Sequence, residues 1–355
     1  MQLKNSRRNY SASSGASQVR GSSEIIDLEG AVRIPAFTVP FSPFASPEAK
    51  KALIDWAKLE PRLVSQHIDT FRENADNLLF KPMLEKHHAR YDVNINPCAV
   101  GGVCAEIFDP VEGISHENRR RVLINLHGGG FVVGSRITGR IESIPIASIG
   151  KIKVISMDYR QGPEHKFPAA SEDVATVYRE ILEQYEPNNI GIYGCSAGGL
   201  LTAQAMAWFQ KERLPIPGAI GIFAASAERY GIGDSAFMAS VLTGSTPLPP
   251  EDPGFGMMQP YFEGADPNDP LVTPGMSQEV LARFPATLLI ASIRASELSG
   301  AAVTHNKLLK AGVASHLQVW DGVRHAFFHD PDLPESRDAY EVMVNFFTAN
   351  LRRHN

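Results

Sequence analysis

The chain has 355 residues, of which 43% are hydrophobic, and its formal net charge at pH 7 is −5. This length allows a large buried core, and the acidic balance argues against nucleic acid or an anionic membrane surface as the principal partner. No apolar run is long enough for a membrane span, no signal-peptide core is present near the N-terminus, and three cysteines are too few for a secreted disulfide framework, so we expect a cytoplasmic protein.

Strand-like and helix-like patterns alternate along most of the chain. Two short patterns near 91–96 and 101–108 predict an antiparallel start to a sheet. The strand patterns that follow alternate with helix patterns and lie at 121–127, 152–158, 189–194, 218–225, 286–292 and 316–321. This alternation predicts an α/β fold with a mostly parallel central sheet and helices on both faces. The last helix pattern has one apolar face, as expected for packing on the sheet, formed by Tyr340, Met343, Phe347 and Leu351.

A glycine-rich turn, His127-Gly128-Gly129-Gly130, follows the apolar strand run that ends at Leu126. Successive glycines allow backbone amides to approach a bound molecule closely. The amides of Gly129 and Gly130 are therefore expected to donate hydrogen bonds to the negative oxygen that develops on an attacked carbonyl. A loop that merely turns a corner is the alternative.

The sequence Gly194-Cys195-Ser196-Ala197-Gly198 lies between a strand pattern and a helix pattern, which is the context of a nucleophile elbow. A side chain at either glycine would strike the neighbouring strand or helix, and the turn holds Ser196 exposed at the start of the helix. The amide of Ala197 is expected to complete the oxyanion hole. Cys195 is an alternative nucleophile, although this motif presents its central residue.

A serine hydroxyl is a poor nucleophile without a base. Where the serine lies in a nucleophile elbow, the histidine base comes later in the sequence than the serine. His325 comes after the strand pattern at 316–321, so we expect it at the same edge of the sheet as Ser196. Three competing histidines lie in a helix pattern, at the opposite end of a strand, and among prolines and aspartates: His305, His316 and His329, respectively.

From about Val103 to the C-terminus the chain resembles the hormone-sensitive lipase-like family of α/β-hydrolase esterases. The resemblance is carried by several motifs in order: His127 to Gly130, the segment Asp158 to Ala170, the Ser196 elbow, and Asp321-Gly322 leading to His325. It implies an α/β-hydrolase fold and hydrolysis of carboxylic esters through an acyl-enzyme, usually with short or medium acyl chains and without metal or cofactor. Within the second motif, Arg160 and Glu164 are expected to brace a loop beneath the site rather than to react.

Two positions depart from the family pattern. Cys195 stands where the family most often has Asp, a change expected to alter packing and local electrostatics without removing a catalytic group. Ala295 stands where many members carry the acid of the catalytic triad. Glu297 lies two residues further on, and two residues of extended chain return a side chain to the same face, so we expect Glu297 to orient His325.

Alternatives to Glu297 stay open at this stage. Glu297 also fits an ordinary glutamate in the first turn of the helix pattern that begins near Leu298. Asp269 is a reserve candidate for the acid, although it precedes the strand pattern at 286–292. Asp321 more naturally shapes a turn with Gly322.

Two segments fall outside the alternation: the N-terminal part, with helix patterns from Pro47 to Leu59 and from Arg62 to Leu79, and a later Pro/Gly-rich excursion. We expect residues 1–90 to form an N-terminal tail and cap segment, 91–226 with 265–355 the catalytic domain, and 227–264 a second cap segment. Four apolar residues of the excursion are expected to line the substrate pocket: Phe237, Met238, Phe255 and Met258. Packing of the cap on the body is an equal alternative for them.

Together these motifs predict a serine carboxylesterase that hydrolyses short- to medium-chain acyl esters, with Ser196, His325 and Glu297 as catalytic residues. The expected partner is a small-molecule ester, with no nucleic acid, membrane span, metal or cofactor, and a homo-oligomer is left open. Two further hypotheses remain. One is a non-catalytic ligand-binding protein on a hydrolase scaffold, favoured by the missing carboxylate at Ala295; the other is an amide or lactone hydrolase with similar tetrahedral intermediates.

Overall fold

The computed structural model describes residues 26, 31–32, 38–244 and 256–352. Contacts divide the chain into two units, Met1–Pro40 and Phe41–Asn355. In the first unit, Ile26 and Val32 form an isolated antiparallel bridge. The predicted N-terminal tail otherwise lies almost wholly outside the described residues. No helix within the described ranges is long and apolar enough to cross a membrane.

The second unit is built on one eight-stranded sheet. In chain order its strands are β1 Val93–Val100, β2 Val103–Pro110, β3 Val122–Leu126, β4 Lys153–Met157, β5 Ile190–Cys195, β6 Ala219–Phe223, β7 Ala286–Arg294 and β8 Ser315–Arg324. They are arranged in the order β1-β2-β4-β3-β5-β6-β7-β8. The pairs β1–β2 and β2–β4 are antiparallel, and the others are parallel. The predicted α/β architecture, including its antiparallel start, is confirmed.

Burial on both faces of the sheet explains why the central strands are almost continuously apolar. Every residue of β3, β5 and β6 is buried. Successive side chains of a strand point to opposite faces, so Val122 and Ile124 enter one buried cluster and Leu123 enters the other. A mostly parallel sheet is stable only when helices cover both of these faces.

The helices, numbered α1 to α11 along the described chain, cover these faces and the edge above them. Their bounds are α1 Pro47–Leu63, α2 Ile68–Asn74, α3 Lys81–His88, α4 Ile137–Gly150, α5 Ala169–Leu182, α6 Ala197–Lys211, α7 Asp234–Thr243, α8 Gln259–Phe262, α9 Gln278–Leu281, α10 Leu298–Lys310 and α11 Pro334–Asn350. A π-helical segment, Ala75–Phe80, joins α2 to α3. The predicted apolar face of the last helix is buried at Tyr340, Met343 and Phe347, and Leu351 is buried just beyond its end.

Two local predictions are wrong. The helix expected from Arg62 to Leu79 is split, because α1 continues through Pro61 to Leu63 and the chain then extends at Val64 before α2 begins. The strand expected at 316–321 is too short, because β8 continues to Arg324, where it pairs with Arg294 after an irregularity in register. His325 is consequently the first residue beyond a strand that forms one edge of the sheet.

Candidate active site

Ser196 stands in a strained turn between β5 and α6. Its φ of 56° and ψ of −118° lie outside the regions that a serine ordinarily adopts. A Cβ added to Gly198 would lie 1.7 Å from the carbonyl oxygen of Leu126, and one added to Gly194 would lie 2.3 Å from the same atom. Both glycines are therefore required by the close approach of β3, as the elbow motif predicts.

A chain of two hydrogen bonds joins Ser196, His325 and Glu297. The Oγ of Ser196 lies 3.0 Å from Nε2 of His325, and Nδ1 of His325 lies 3.0 Å from Oε2 of Glu297. Because the carboxylate accepts a hydrogen bond from Nδ1–H, the proton of the imidazole stays on Nδ1. Nε2 is then free to accept the proton of the serine hydroxyl. The structure thus brings together the three residues predicted as catalytic, from three different loops.

The other candidate acids lie elsewhere. Asp269 accepts a hydrogen bond from the amide of Leu271 within its own turn. Asp321 accepts from the amide of Gly322 and from the hydroxyl of Ser42. Glu297 immediately precedes α10 and is buried, with its Oε2 directed at His325 rather than capping the helix. The side chain of Glu297 is therefore long enough to contact His325 from a position two residues beyond Ala295.

The competing histidines have structural surroundings. His305 lies in α10 with its Nδ1 2.8 Å from Oγ of Ser315, and His316 packs edge-on against Phe346. His329 is buried, with its Nε2 3.4 Å from a carboxylate oxygen of Glu142. None of the three is bonded to Ser196 in the described part of the chain.

The glycine-rich turn after β3 approaches the elbow with its amides free to bind. Gly129 and Gly130 both have positive φ values, 121° and 60°, which glycine adopts without strain. Among the described residues, no acceptor is bonded to the amides of Gly129, Gly130 or Ala197. Three unbonded amide donors near one serine hydroxyl can donate hydrogen bonds to an oxyanion.

Glu142 supports this turn from α4, a contact that no motif in the sequence indicated. One oxygen of Glu142 accepts the amide of Gly128, at 2.8 Å, and the other accepts the side-chain amide of Asn125, also at 2.8 Å. Glu142 is 6% exposed, so both hydrogen bonds are shielded from water. The residue was missed because the pattern of α4 marks it only as a polar residue in a helix.

Cys195 packs in the core beside Glu142, away from the cleft. Burial raises the pKa of the Cys195 thiol well above its ordinary value, and the neighbouring carboxylates of Glu142 and Glu297 act in the same direction. A protonated, fully buried thiol is a poor nucleophile, which argues against the alternative role of Cys195. Glu142 places a carboxylate close to the position where the family most often has Asp.

The side chains of Glu142, Cys195 and His329 offer ligand atoms within 4.8 Å of one another. Both oxygens of Glu142 already accept N–H groups, and the thiol is held in its protonated form. A metal ion would need the thiolate and at least one free carboxylate oxygen. The cluster therefore fits a packed support for the oxyanion turn better than a metal centre.

Two cavities adjoin Ser196. The larger, about 290 Å³, is also bordered by the glycine-rich turn and His325, and its outer wall comes mainly from α1, α2, Ala75–Phe80 and α3. The smaller, about 30 Å³, is bordered by Ala225, Tyr230 and Glu297. The N-terminal helices thus supply most of the apolar wall of the larger cavity, in the segment that the sequence predicts to be a cap.

The four residues predicted to line the pocket are placed differently from one another. Met258 is buried and borders the smaller cavity. Phe237 and Met238 border neither cavity; they lie on α7, where Phe237 is 39% exposed. Phe255 lies outside the described residues. Met257, another apolar residue of the same excursion, borders the larger cavity and packs against Gly130.

The segment after β4 forms structural ion pairs. Glu164 receives two hydrogen bonds from Arg72 of α2, at 2.6 and 2.8 Å, and this guanidinium lowers the pKa of Glu164 to about 2. Arg72 also donates to the carbonyl oxygens of Val132 and Gly162. Arg160 pairs with Asp173 in α5. These contacts agree with the bracing role expected for Arg160 and Glu164.

Comparison with known proteins identifies the class of this protein. Residues 123–329 match the family described as alpha/beta hydrolase fold, and the chain belongs to that family. It is 30% identical to an acetyl-hydrolase of Streptomyces hygroscopicus over 64% of this chain and 75% of the relative. It is likewise 30% identical to an ethyl acetate hydrolase of Pseudomonas putida, over 62% of this chain and 70% of the relative.

Solved structures narrow the family further. A crystal structure of an esterase from the bacterial hormone-sensitive lipase family superposes with a TM-score of 0.76 at 27% identity, covering 86% of this chain and 99% of that one. Another esterase structure gives a TM-score of 0.78 at 28% identity, covering 91% and 99%. The predicted fold, esterase class and resemblance to the hormone-sensitive lipase-like family are confirmed.

Proposed function

We propose that Ser196, His325 and Glu297 carry out the ester hydrolysis of this family, with the amides of Gly129, Gly130 and Ala197 as the oxyanion hole. The observation that carries the proposal is the continuous path of two 3.0 Å hydrogen bonds from Glu297 through His325 to Ser196. The chain is a carboxylic ester hydrolase, and these residues are the groups near the cavities that can perform acyl transfer.

The reaction follows from the protonation states of this path. Nε2 of His325 takes the proton of Ser196 as Oγ bonds to the carbonyl carbon, and the three amides stabilise the oxyanion. The carbon–oxygen bond to the alcohol then breaks, and His325 donates its proton to the leaving alcohol. Water attacks the acyl-enzyme with His325 again as base; the carboxylic acid leaves and Ser196 regains its proton. Glu297 stabilises the imidazolium in both halves of the reaction.

The two cavities suggest how an ester lies in the site. The leaving alcohol must be near His325, which protonates it, and His325 borders the larger cavity and not the smaller one. We therefore assign the alcohol to the larger cavity and the acyl group to the smaller. A volume of about 30 Å³ beside Ser196 favours the short end of the predicted acyl range. The named activities of the two relatives, on acetyl groups and on ethyl acetate, agree with this assignment.

The division into a catalytic domain and two cap segments is part of the same proposal. The helices between residues 47 and 90 border the larger cavity, and Met257 and Met258 of segment 227–264 each border one of the two cavities. Residues 91–226 and 265–355 supply the sheet, the elbow and both loops that carry Glu297 and His325. A cytoplasmic location and a homo-oligomer stay predictions from the sequence.

The first experiment measures initial hydrolysis rates on two matched series. p-Nitrophenyl esters from acetate to decanoate vary the acyl group at constant alcohol, and acetates of ethanol, hexanol and benzyl alcohol vary the alcohol at constant acyl group. We expect kcat/KM to fall steeply along the first series and to change little along the second. Ser196→Ala and His325→Ala should reduce kcat by at least about 10⁴-fold, because they remove the nucleophile or its base.

Each outcome decides a different part of the proposal. Turnover that survives Ser196→Ala in a folded variant would exclude Ser196 as nucleophile. Equal rates from acetate to decanoate would overturn the assignment of the acyl group to the smaller cavity and leave the catalytic residues standing. Amide or lactone substrates with higher kcat/KM than every ester would move the protein to the related hydrolase class, because the same intermediates serve all three.

A further inference from the structure

Arg324 lies at the junction of the active-site cavity and a second cavity. The larger cavity beside Ser196 and a neighbouring one of about 270 Å³ share Trp56, Leu79, Met83 and Arg324 in their walls. The guanidinium carbon of Arg324 lies 4.0 Å from the centre of the Trp56 ring. Because β8 ends at Arg324, this side chain is held directly beside His325, at the part of the site that receives the leaving alcohol.

Within the described part of the chain, the guanidinium of Arg324 is not hydrogen-bonded to a carboxylate. Within the described ranges its hydrogen bond is one from Nη1 to the carbonyl oxygen of His325, at 3.2 Å, although a guanidinium has five N–H donors. No described carboxylate forms an ion pair with it. The charges of Asp330 and Glu60 both raise the pKa of Arg324; Asp330 is itself bonded to Lys86, and Glu60 borders the larger cavity together with Arg324.

Two other half-buried arginines of this chain are paired with carboxylates, whereas the buried Arg294 donates to the carbonyl oxygen of Leu242 and lies over Phe41. Arg140 makes two hydrogen bonds to the carboxylate of Glu106, at 2.6 and 2.8 Å, and Arg72 does the same with Glu164. A cation removed from water is ordinarily paired with an anion. Enclosure by protein lowers the pKa of Arg324 to about 10, so it remains charged at neutral pH without such a partner. Stacking on Trp56 offsets only part of this desolvation.

The shape of the guanidinium indicates the missing partner. Two parallel N–H groups match the two oxygens of a carboxylate, which is the strongest hydrogen-bonding arrangement that arginine forms. The rest of the cavity wall is largely apolar, with Leu63, Phe71 and Phe80 among its members. A ligand that suits both features has an apolar body and one carboxylate.

We propose that Arg324 binds a carboxylate on the alcohol portion of the substrate, so that this enzyme prefers short-acyl esters of hydroxycarboxylic acids. The inference rests on the proposed function, because it uses the assignment of the alcohol to the larger cavity. It adds a selecting residue that takes no part in bond making or breaking. Release of the hydroxy acid would follow once the acyl group has moved to Ser196.

The test compares two esters of nearly equal shape, meta-acetoxybenzoate and meta-acetoxybenzamide. We expect the wild-type enzyme to have at least about tenfold higher kcat/KM on the carboxylate, with the difference mainly in KM, because a charge-assisted pair replaces a neutral contact. Arg324→Met should bring the ratio of the two kcat/KM values close to one. Arg324→Lys should retain part of the preference, since it keeps the charge and loses the planar pair of donors.

Lys211→Met is the matched control. The Lys211 ammonium lies 3.7 Å from the centre of the Trp208 ring at the exposed end of α6, so this variant also removes a cation from an aromatic face but away from both cavities. It should leave the ratio unchanged. A ratio that survives Arg324→Met, or one that Lys211→Met lowers equally, would overturn the proposal.

Inhibition of the wild-type enzyme tests the same proposal without a variant, in case Arg324→Met fails to fold. Benzoate should inhibit hydrolysis of a neutral acetate competitively, at least about tenfold more tightly than benzamide. Equal inhibition by the two would overturn the proposal. Hydrolysis of both test esters at equal rates, abolished by Ser196→Ala, would reject the carboxylate site alone, whereas no Ser196-dependent hydrolysis of either ester would reject the proposed function.

Discussion

The sheet edge that carries the reacting groups and the N-terminal helices that border the larger cavity are built in different ways. β3 and β5, which lead into the oxyanion turn and the elbow, are buried at every residue. In contrast, α2 has no buried residue and α1 buries only Ala49 and Leu63. The proposed catalytic residues are thus held by a close-packed core, and the cavity wall is formed by helices at the surface. Substrate choice can therefore change with little effect on the chemistry.

The two regions meet at a small number of polar contacts. His87 of α3 is fully buried and its Nε2 donates to the carbonyl oxygen of His329, four residues beyond His325. Arg72 of α2 donates to the carbonyl oxygen of Val132, two residues beyond the glycine-rich turn. If the contrast between the regions is correct, substitutions at the sheet edge should act on kcat, and substitutions at these junctions should act mainly on stability or KM.

Among single hydrogen bonds at the sheet edge, we expect loss of the one from His325 to Glu297 to reduce kcat most. Glu297→Ala removes the acceptor that orients His325 and stabilises its imidazolium, so kcat should fall by about 10²- to 10⁴-fold with little change in KM. Steady-state kinetics on p-nitrophenyl acetate measures this. Asp269→Ala, in an unrelated turn, is the control and should leave kcat within about twofold. An unchanged kcat in Glu297→Ala would show that another group supplies the acid.

A smaller effect on kcat is expected at Glu142. Glu142→Ala leaves the amide of Gly128 buried without its acceptor, and the oxyanion turn should lose its alignment. We expect kcat to fall by roughly tenfold to a hundredfold at nearly constant KM. Glu142→Gln, which keeps an acceptor oxygen, should lose less activity.

Glu106→Ala is the matched control for Glu142→Ala, because it also removes a buried carboxylate. The carboxylate of Glu106 is bonded to Arg140 and not to the glycine-rich turn. Both alanine variants should have lower melting temperatures. Only the Glu142 variant should lose kcat in the temperature range where both are folded. Equal losses of kcat would indicate that Glu142 acts through general stability rather than through the oxyanion turn.

The smallest effect is expected on stability at the junction, through His87. Burial lowers the pKa of His87 to about 3, and its ordinary value in an unfolded chain is about 6.5. The unfolded state therefore binds a proton that the folded state excludes, so the stabilisation is complete above pH 6.5 and is lost as the pH falls towards 3. His87 should lower the free energy of unfolding by up to about 1.4 kcal/mol for each pH unit in this window.

Urea denaturation at several pH values measures this slope. His87→Gln keeps a donor for the carbonyl of His329 without a titrating ring, so the slope should become shallower. The exposed His116→Gln is the control and should leave the slope unchanged. A wild-type slope retained in His87→Gln would mean that the acid sensitivity arises elsewhere in the chain.

Motifs within short stretches of sequence were sufficient to identify most residues of the proposed site. The spacing of Gly194, Ser196 and Gly198 predicts the elbow because the tight turn tolerates no other residue at its glycines. His325 was identifiable because parallel strands present their carboxyl ends at one sheet edge. Glu297 was predicted from the alternation of side chains in an extended chain and from the absence of a carboxylate at Ala295.

The structure differs from the predictions where the sequence of a segment does not indicate which distant residues it packs against. Phe237 and Met238 were apolar residues in an irregular stretch, yet most of the outer wall of the larger cavity comes from helices between residues 47 and 88. The sequence pattern also ended the last strand at residue 321, although pairing with β7 extends this strand to Arg324. Hydrogen bonds to a neighbouring strand can extend a strand beyond the end of its local sequence pattern.

By itself, the amino-acid sequence determined the order of the strands along the chain, the elbow, the glycine-rich turn and the class of reaction, because each depends on residues close together in the chain. Only the tertiary structure decided that Glu142 holds the amide of Gly128, that Arg324 borders two cavities, and which residues of the N-terminal helices border the larger cavity. These arrangements join residues far apart in the chain, and packing and burial select them only after the sheet has formed.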